Sequence, residues 1–178
     1  MNAKSLQDLV QTLECASTQS GESLVKLSGA SPVLLMFLRH AGCTFCREAL
    51  GDIARARTAI EATGTRIVLV HMGDSQALEN LLDKYGLTGV DRICDRGQDL
   101  YRAFGLKRGR LQQLFGLKVF WRALCEGVLA GHGIGRVSAD SWQMPGLFVL
   151  DGSRIVRRFR HRSAADRPDY AGICAAPR

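Results

Sequence analysis

The run Pro32-Val-Leu-Leu-Met-Phe-Leu38 constrains this chain more than any other stretch, being apolar throughout and bounded by Ser31 on one side and Arg39-His40 on the other. It is far shorter than the roughly 18 residues that cross a bilayer, and it is continuous rather than alternating. That pattern predicts a central strand buried on both faces, which requires helices on either side of a sheet. Ala41-Gly42 breaks the run, and Cys43 to Thr63 then reads as a helix with Leu50, Ile53, Ala54 and Ile60 on its inner stripe and Gly64 at its end. The joint between that strand and that helix holds Cys43-Thr44-Phe45-Cys46.

The other elements fall in order around this unit. Ala3 to Cys15 carries Leu6, Leu9, Val10 and Leu13 at helical spacing, and a polar stretch, Ser17 to Glu22, follows. Ile67 to Val70 predicts a second buried strand. Gly73-Asp74-Ser75 opens a helix with Leu78, Leu81 and Leu82 inside and Gly86 at its close. Arg92 to Cys94 predicts a short strand and Asp99 to Phe104 a short helix. Leu147 to Leu150 and Arg154 to Arg160 predict two strands joined through Asp151-Gly152, a hairpin signal. This order implies the α/β class, a mixed sheet with helices on both faces and the hairpin at one edge. Leu114, Leu117, Trp121, Leu124 and Val128 predict a helix inserted within about 107–135, where Lys118, Arg122 and Glu126 exclude a membrane span. Such a helix covers the core, forms a dimer surface or lids the thiols. The organisation expected is a leader helix over 1–20, one domain over 21–170 and a tail over 171–178.

Charge and cysteine usage narrow the classes. Lys and Arg total 24 against 17 Asp and Glu, a formal net charge of +7. The excess gathers in Arg154, Arg157, Arg158, Arg160 and Arg162, interleaved with Ile155, Val156 and Phe159. This reads as the charged face of an edge strand, protected against edge-to-edge pairing, so no nucleic-acid partner is expected. Gly131-His-Gly-Ile-Gly135 has no leading strand and no following Lys-Ser/Thr, which excludes a phosphate loop. Met1 to Asp8 is not followed by the apolar stretch of a secretory signal, so a cytoplasmic location with reduced thiols and no membrane attachment is expected. Of the six cysteines, Cys15, Cys94, Cys125 and Cys174 are scattered, and each reads as a small buried hydrophobe.

Cys43 and Cys46 are different. A sulfur in the first turn of a helix faces unpaired N–H groups and the positive end of the helix dipole, which favour thiolate over thiol. Arg39, His40 and Arg47 add positive character, and Thr44 lies within the same turn. An offset of three residues brings both sulfurs to one side, where a disulfide can close. Cys43 is then the more exposed, attacking thiol, and Cys46 the deeper one that resolves a mixed disulfide. A zinc half-site needs two further ligands; Cys94 or His71 could each supply one, but no spacing recommends them, and no metal or cofactor is expected. Two inert core cysteines are the remaining reading. Gln143-Met144-Pro145-Gly146 precedes a strand, where a cis Met144–Pro145 bond would make a tight turn and expose the backbone of Met144 to an extended partner.

Three stretches together, Leu35 to Glu48, Gln143 to Gly152 and Ala165-Asp-Arg-Pro-Asp-Tyr170, resemble the peroxiredoxin-like branch of the AhpC/TSA antioxidant family, which includes selenoprotein L and its cysteine-containing relatives. The resemblance covers roughly Glu22 to Tyr170. It implies a thioredoxin-like fold, a redox-active pair at Cys43 and Cys46 and a cis-Pro at Pro145. Peroxiredoxins carry Pro-x-x-x-Thr/Ser-x-x-Cys; aligned on Cys46, this chain has Arg39 for the Pro and Cys43 for the Thr/Ser.

Three functions follow from these readings. In the first, Cys43 attacks a protein disulfide or oxidised sulfur, Cys46 closes the disulfide, and thioredoxin or a glutathione-type reductant resets the pair. The second is a hydroperoxide reductase with Cys46 peroxidatic and Cys43 resolving. The third is a redox sensor, possible as a homodimer, that changes shape without turnover.

Overall fold

The computed structural model describes residues 3–39, 41–109, 140, 142–163 and 166–175. The helix expected near Leu111–Val128, together with His40 and Cys125, lies outside them. In chain order the elements are α1 (Ala3–Cys15), α2 (Leu24–Ala30), β1 (Val33–Phe37), α3 (Thr44–Ala62), β2 (Arg66–His71), α4 (Ser75–Lys84), β3 (Asp91–Cys94), α5 (Asp99–Ala103), β4 (Gly146–Asp151), β5 (Arg154–Arg160) and α6 (Gly172–Ala175).

Five strands form one mixed sheet in the order β3-β2-β1-β4-β5. β1 is central, parallel to β2 with Val33 opposite Arg66, and antiparallel to β4 with Phe37 opposite Gly146. Every residue of β1 is buried, as a strand covered on both faces demands. Alternation along the strands then splits the core in two. Leu35, Phe37, Val68, Val70, Phe148 and Leu150 pack with α1, α2 and α5 on one face. Leu34, Met36, Ile67, Leu69, Leu147 and Val149 pack with α3, α4 and the C-terminal segment on the other. The arginine-rich β5 is the edge strand, paired on one side with β4.

Local chemistry explains most boundaries. Asp74 caps α4 by accepting the Gln76 N–H at 2.9 Å. Gly64 and Gly86 take φ of +75° and +67°, the left-handed conformation that lets the chain leave α3 and α4 without a Cβ penalty. α2 is the helix that periodicity misses. Only seven residues long, it relies on Ser23, whose side chain accepts the Lys26 N–H at 3.2 Å, rather than on a repeating stripe. α1 packs on the sheet, with Leu9 and Leu13 buried in the first core. The final segment is likewise packed, with Ala171, Ile173 and Cys174 against the second core.

Two expectations fail on exposure and conformation. Cys15 and Cys94 are exposed, because each is the last residue of its element and has left the buried layer. The Met144–Pro145 bond is trans, as are all peptide bonds among the described residues. The Met144 N–H donates to the Lys107 carbonyl at 3.2 Å and its own carbonyl accepts the Gln143 amide at 3.3 Å. The backbone expected to pair with an extended partner is thus already engaged within the chain.

Candidate active site

β1 delivers the chain to the thiols. Beyond Phe37, Leu38 continues the ladder by donating its N–H to Val70 at 2.8 Å. The Tyr101 hydroxyl, rising from α5, bonds the Leu38 carbonyl and reaches the Val70 carbonyl at 3.1 Å. Arg39 follows, 6% exposed, and the turn through Ala41 and Gly42 leads to Cys43. Arg47 reaches back from the first turn of α3 to the Ala41 carbonyl at 3.0 Å, bracing this turn.

Cys43 occupies the N-cap of α3 with extended backbone, φ −77° and ψ 121°. Thr44 and Phe45 are the first two helical residues and Cys46 the third, so the two sulfurs meet across the opening turn and share a hydrogen bond. Both thiols are free, and both are buried, at 8% and 5% exposure. Cys43 is the slightly more exposed of the two, as expected, but the turn still folds it in beneath Arg39, whose guanidinium Nη1 lies 3.6 Å from the Cys43 sulfur. The Arg39 backbone N–H meanwhile points at the Cys46 sulfur at 3.2 Å.

These contacts divide the pair. The hydrogen bond from Cys46 draws Cys43 down to about 6; burial opposes this, while the Arg39 charge and the N–H groups of Cys46 and Phe45 add to it. Cys46, as donor, is held well above the usual thiol range by the same bond and by burial. Positive character at the pair comes from Arg39 and the helix N-terminus, and Arg47 also braces the turn. Peptide-resolved alkylation should follow this division. Cys43 reactivity should titrate with a midpoint near 6, falling about tenfold per pH unit below it and flat above about pH 7, because the thiolate is the reactive form. Cys46 should still be gaining reactivity at pH 9. A Cys43 midpoint near 9 would contradict the assignment.

Shape adds what charge does not. A cleft opens beside Cys46, lined by Phe45, Pro145, His161 and Tyr170 among others, and bounded by Glu48 and Asp52 of α3. Glu48 and Asp52, spaced i, i+4, are both buried on one face of the helix. Their countercharge comes from Arg167 and, at Asp52, also from Arg55: Arg167 Nε lies 2.6 Å from Asp52, a second nitrogen also bonds Asp52, and Nη1 lies 3.4 Å from Glu48. Burial pushes His161 down to about 4 despite the pull of Asp166, so its imidazole is neutral at neutral pH. Burial and the nearby charges of Asp52, Glu48 and Cys46 push Tyr170 well up. Of the residues singled out in the sequence, Cys43, Cys46, Arg39, Thr44 and Arg47 gather at the helix start, and Pro145 lines the cleft. Met144 supports from behind, buried at 6%. Asp52 and His161 have no signal in the local sequence, whereas Glu48 ends the Leu35–Glu48 stretch and Arg167 lies in the Ala165–Tyr170 stretch. Among the described residues no group of three or more His, Cys, Asp or Glu is placed to hold a metal ion, and no helix is long and apolar enough to cross a membrane.

Comparison with known proteins places this architecture. Peroxiredoxin Q from Xanthomonas campestris, as a cysteine-to-serine mutant, superposes with a TM-score of 0.57 at 17% identity, covering 84% of this chain and 82% of that one. Peroxidoxin BcpB from Mycobacterium tuberculosis gives the same TM-score at 15% identity, covering 84% and 82%. Both show the thioredoxin-like fold. In sequence, a prostamide/prostaglandin F synthase from Danio rerio is 27% identical over 150 residues, 81% of this chain and 73% of the relative. The corresponding synthase from Salmo salar is 27% identical over 158 residues, 83% and 76%. The family described as AhpC/TSA antioxidant enzyme matches residues 52–164, a span that begins just after the thiol pair. With that span exceeding half of its length, the chain belongs to the AhpC/TSA antioxidant enzyme family and is an oxidoreductase of thioredoxin-like fold.

Proposed function

We propose that the protein is a thiol–disulfide oxidoreductase working through a Cys43–Cys46 disulfide. The observation that carries this reading is the helix-capping Cys43, held toward its thiolate by the Cys46 thiol and the Arg39 guanidinium. The thiolate attacks a substrate disulfide, one substrate thiolate leaves, and Cys46 then attacks the Cys43 sulfur to release the other. The protein ends oxidised by two electrons, and a thioredoxin- or glutathione-type reductant restores it. Such a cycle suits the reducing cytoplasm and an antioxidant role.

A second reading, hydroperoxide reduction with Cys46 attacking and Cys43 resolving, is favoured by one feature: the cleft opens on Cys46 rather than on Cys43. The prostamide/prostaglandin F synthase relatives add a lipid-derived oxidant as a candidate substrate for that cleft. Charge and shape point to different sulfurs here. Charge supports the first reading, since attack at neutral pH requires a thiolate and the Arg39 guanidinium lies against the Cys43 sulfur.

Thiol trapping across a glutathione redox series, read by mass spectrometry, tests the first reading. Cys43 and Cys46 should lose their label together, with a linked peptide and one shared midpoint. Independent behaviour of the two, or no linkage at any poise, would overturn it.

A further inference from the structure

One buried imidazole stands behind the thiols. His71 ends β2, and alternation with Ile67 and Leu69 turns it to the α3 face of the sheet, where it is 4% exposed. Register sets how near the sulfurs it lies. One step past the Phe37–Val70 pair, His71 stands beside Leu38, on strands about 4.8 Å apart. Arg39, the next residue along the chain, gives its backbone N–H to the Cys46 sulfur at 3.2 Å. His71 and Cys46 line one cavity with Leu50, Leu78 and Leu81; its volume is about 10 Å³, roughly the room of one water molecule. The Nδ1 atom of His71 is buried and makes no hydrogen bond among the described residues. A buried polar atom left so is costly, and a water that reaches a second polar group removes the cost. His161 also has a buried Nδ1 without a partner, but it follows β5, two strands away from β1.

We propose that His71 Nδ1 is the proton acceptor for Cys46, taking the thiol proton through one bridging water as the Cys43–Cys46 disulfide closes. The proposal rests on the disulfide reading. In the reduced protein Cys46 shares its proton with Cys43. Once Cys43 is bonded to a substrate sulfur, that acceptor is neutral, and the proton needs another destination. The Cys46 thiol donates to the water, and the water donates to Nδ1. The Cys46 sulfur attacks Cys43 Sγ, the bond from Cys43 to the substrate sulfur breaks, and the substrate thiolate departs with the electron pair. The imidazolium then returns its proton to solvent. The base form is the one present at neutral pH, because burial, with the charges of Arg92 and Arg96, holds His71 below its ordinary value. Asp74 and a hydrogen bond to the Gly73 backbone pull the other way. Asp74 at the start of α4, Cys46 on α3, Cys94 opposite on β3 and the two arginines are the charged and titratable groups about the ring among the described residues.

Rapid mixing with dithiodipyridine tests this, because each half of the reagent is released as a coloured thiopyridine. Attack by Cys43 releases the first half and closure the second. In the native chain the second release should be level between about pH 7 and pH 9, where the imidazole is neutral and Cys46 still holds its proton. His71→Asn should slow it on the order of 10²-fold at pH 7, with a rise of about tenfold per pH unit that closes most of the gap by pH 9. The first release should be unchanged. If His71→Asn perturbs folding, the native profile still decides: a tenfold rise per pH unit across that range overturns the proposal. So does a folded His71→Asn chain whose second release stays level. A first release with no second overturns the disulfide reading, and this one with it.

Discussion

Cys43→Ser should lower disulfide-reducing turnover on the order of 10³-fold or more, whereas Cys46→Ser should stop the cycle one step later. Serine keeps the N-cap geometry but has no accessible anion at neutral pH, so the contributions of Arg39 and the helix start have nothing to stabilise. In Cys46→Ser the first attack survives, but no thiol remains to resolve it. The variant should therefore accumulate a covalent mixed disulfide visible by intact mass. Cys46→Ala, which has no donor, should show a raised Cys43 midpoint, because the largest influence holding Cys43 down is the Cys46 hydrogen bond. Hydroperoxide reduction reverses the pattern: Cys43→Ser would then carry a trapped sulfenic acid on Cys46 and Cys46→Ser would be inert. Insulin reduction, intact mass and sulfenic-acid labelling on the two variants separate the readings.

Phe37→Ala should cost about 3–5 kcal/mol of folding stability, measured as a lowered urea midpoint at unchanged slope. Phe37 is 1% exposed, and its ring lies 4.9 Å from Tyr101, 5.1 Å from Phe104 and 5.6 Å from Phe148. Deleting it removes both buried area and three ring contacts, and the sheet behind is too rigid to collapse into the space. Against the roughly 5–15 kcal/mol typical of a whole domain, this loss is large enough to leave a substantial unfolded fraction. A change of less than about 1 kcal/mol would mean that the aromatic cluster does not hold the end of β1.

How much of this was legible follows from how far the interactions reach. The central strand, α3 and the hairpin declare themselves because apolar runs, helical stripes and turn residues are local signals. The thiol pair is legible for the same reason, being a three-residue offset on one helix start. α2 is not, since a short helix held by one serine has no period to detect. The cleft is not either. Arg167 meets Asp52 across 115 residues, and nothing in the composition near Asp52 announces a buried carboxylate. The exposure of Cys15 and Cys94 is not legible either, because composition says how often a residue type is buried, not where an element ends. Pro145 lines the cleft beside Cys46, and its peptide geometry depends on partners of Met144 that local sequence does not show.

Tyr101 belongs to the first core, on the opposite face of the sheet from the thiols, yet its hydroxyl grips the carbonyl of Leu38 just before the reactive turn. The turn is therefore anchored from behind, like a latch mounted on a fixed post. Sulfur chemistry can open and close on the front while the mounting stays still, so the work of each cycle is confined to one turn of α3 instead of being spread through the sheet.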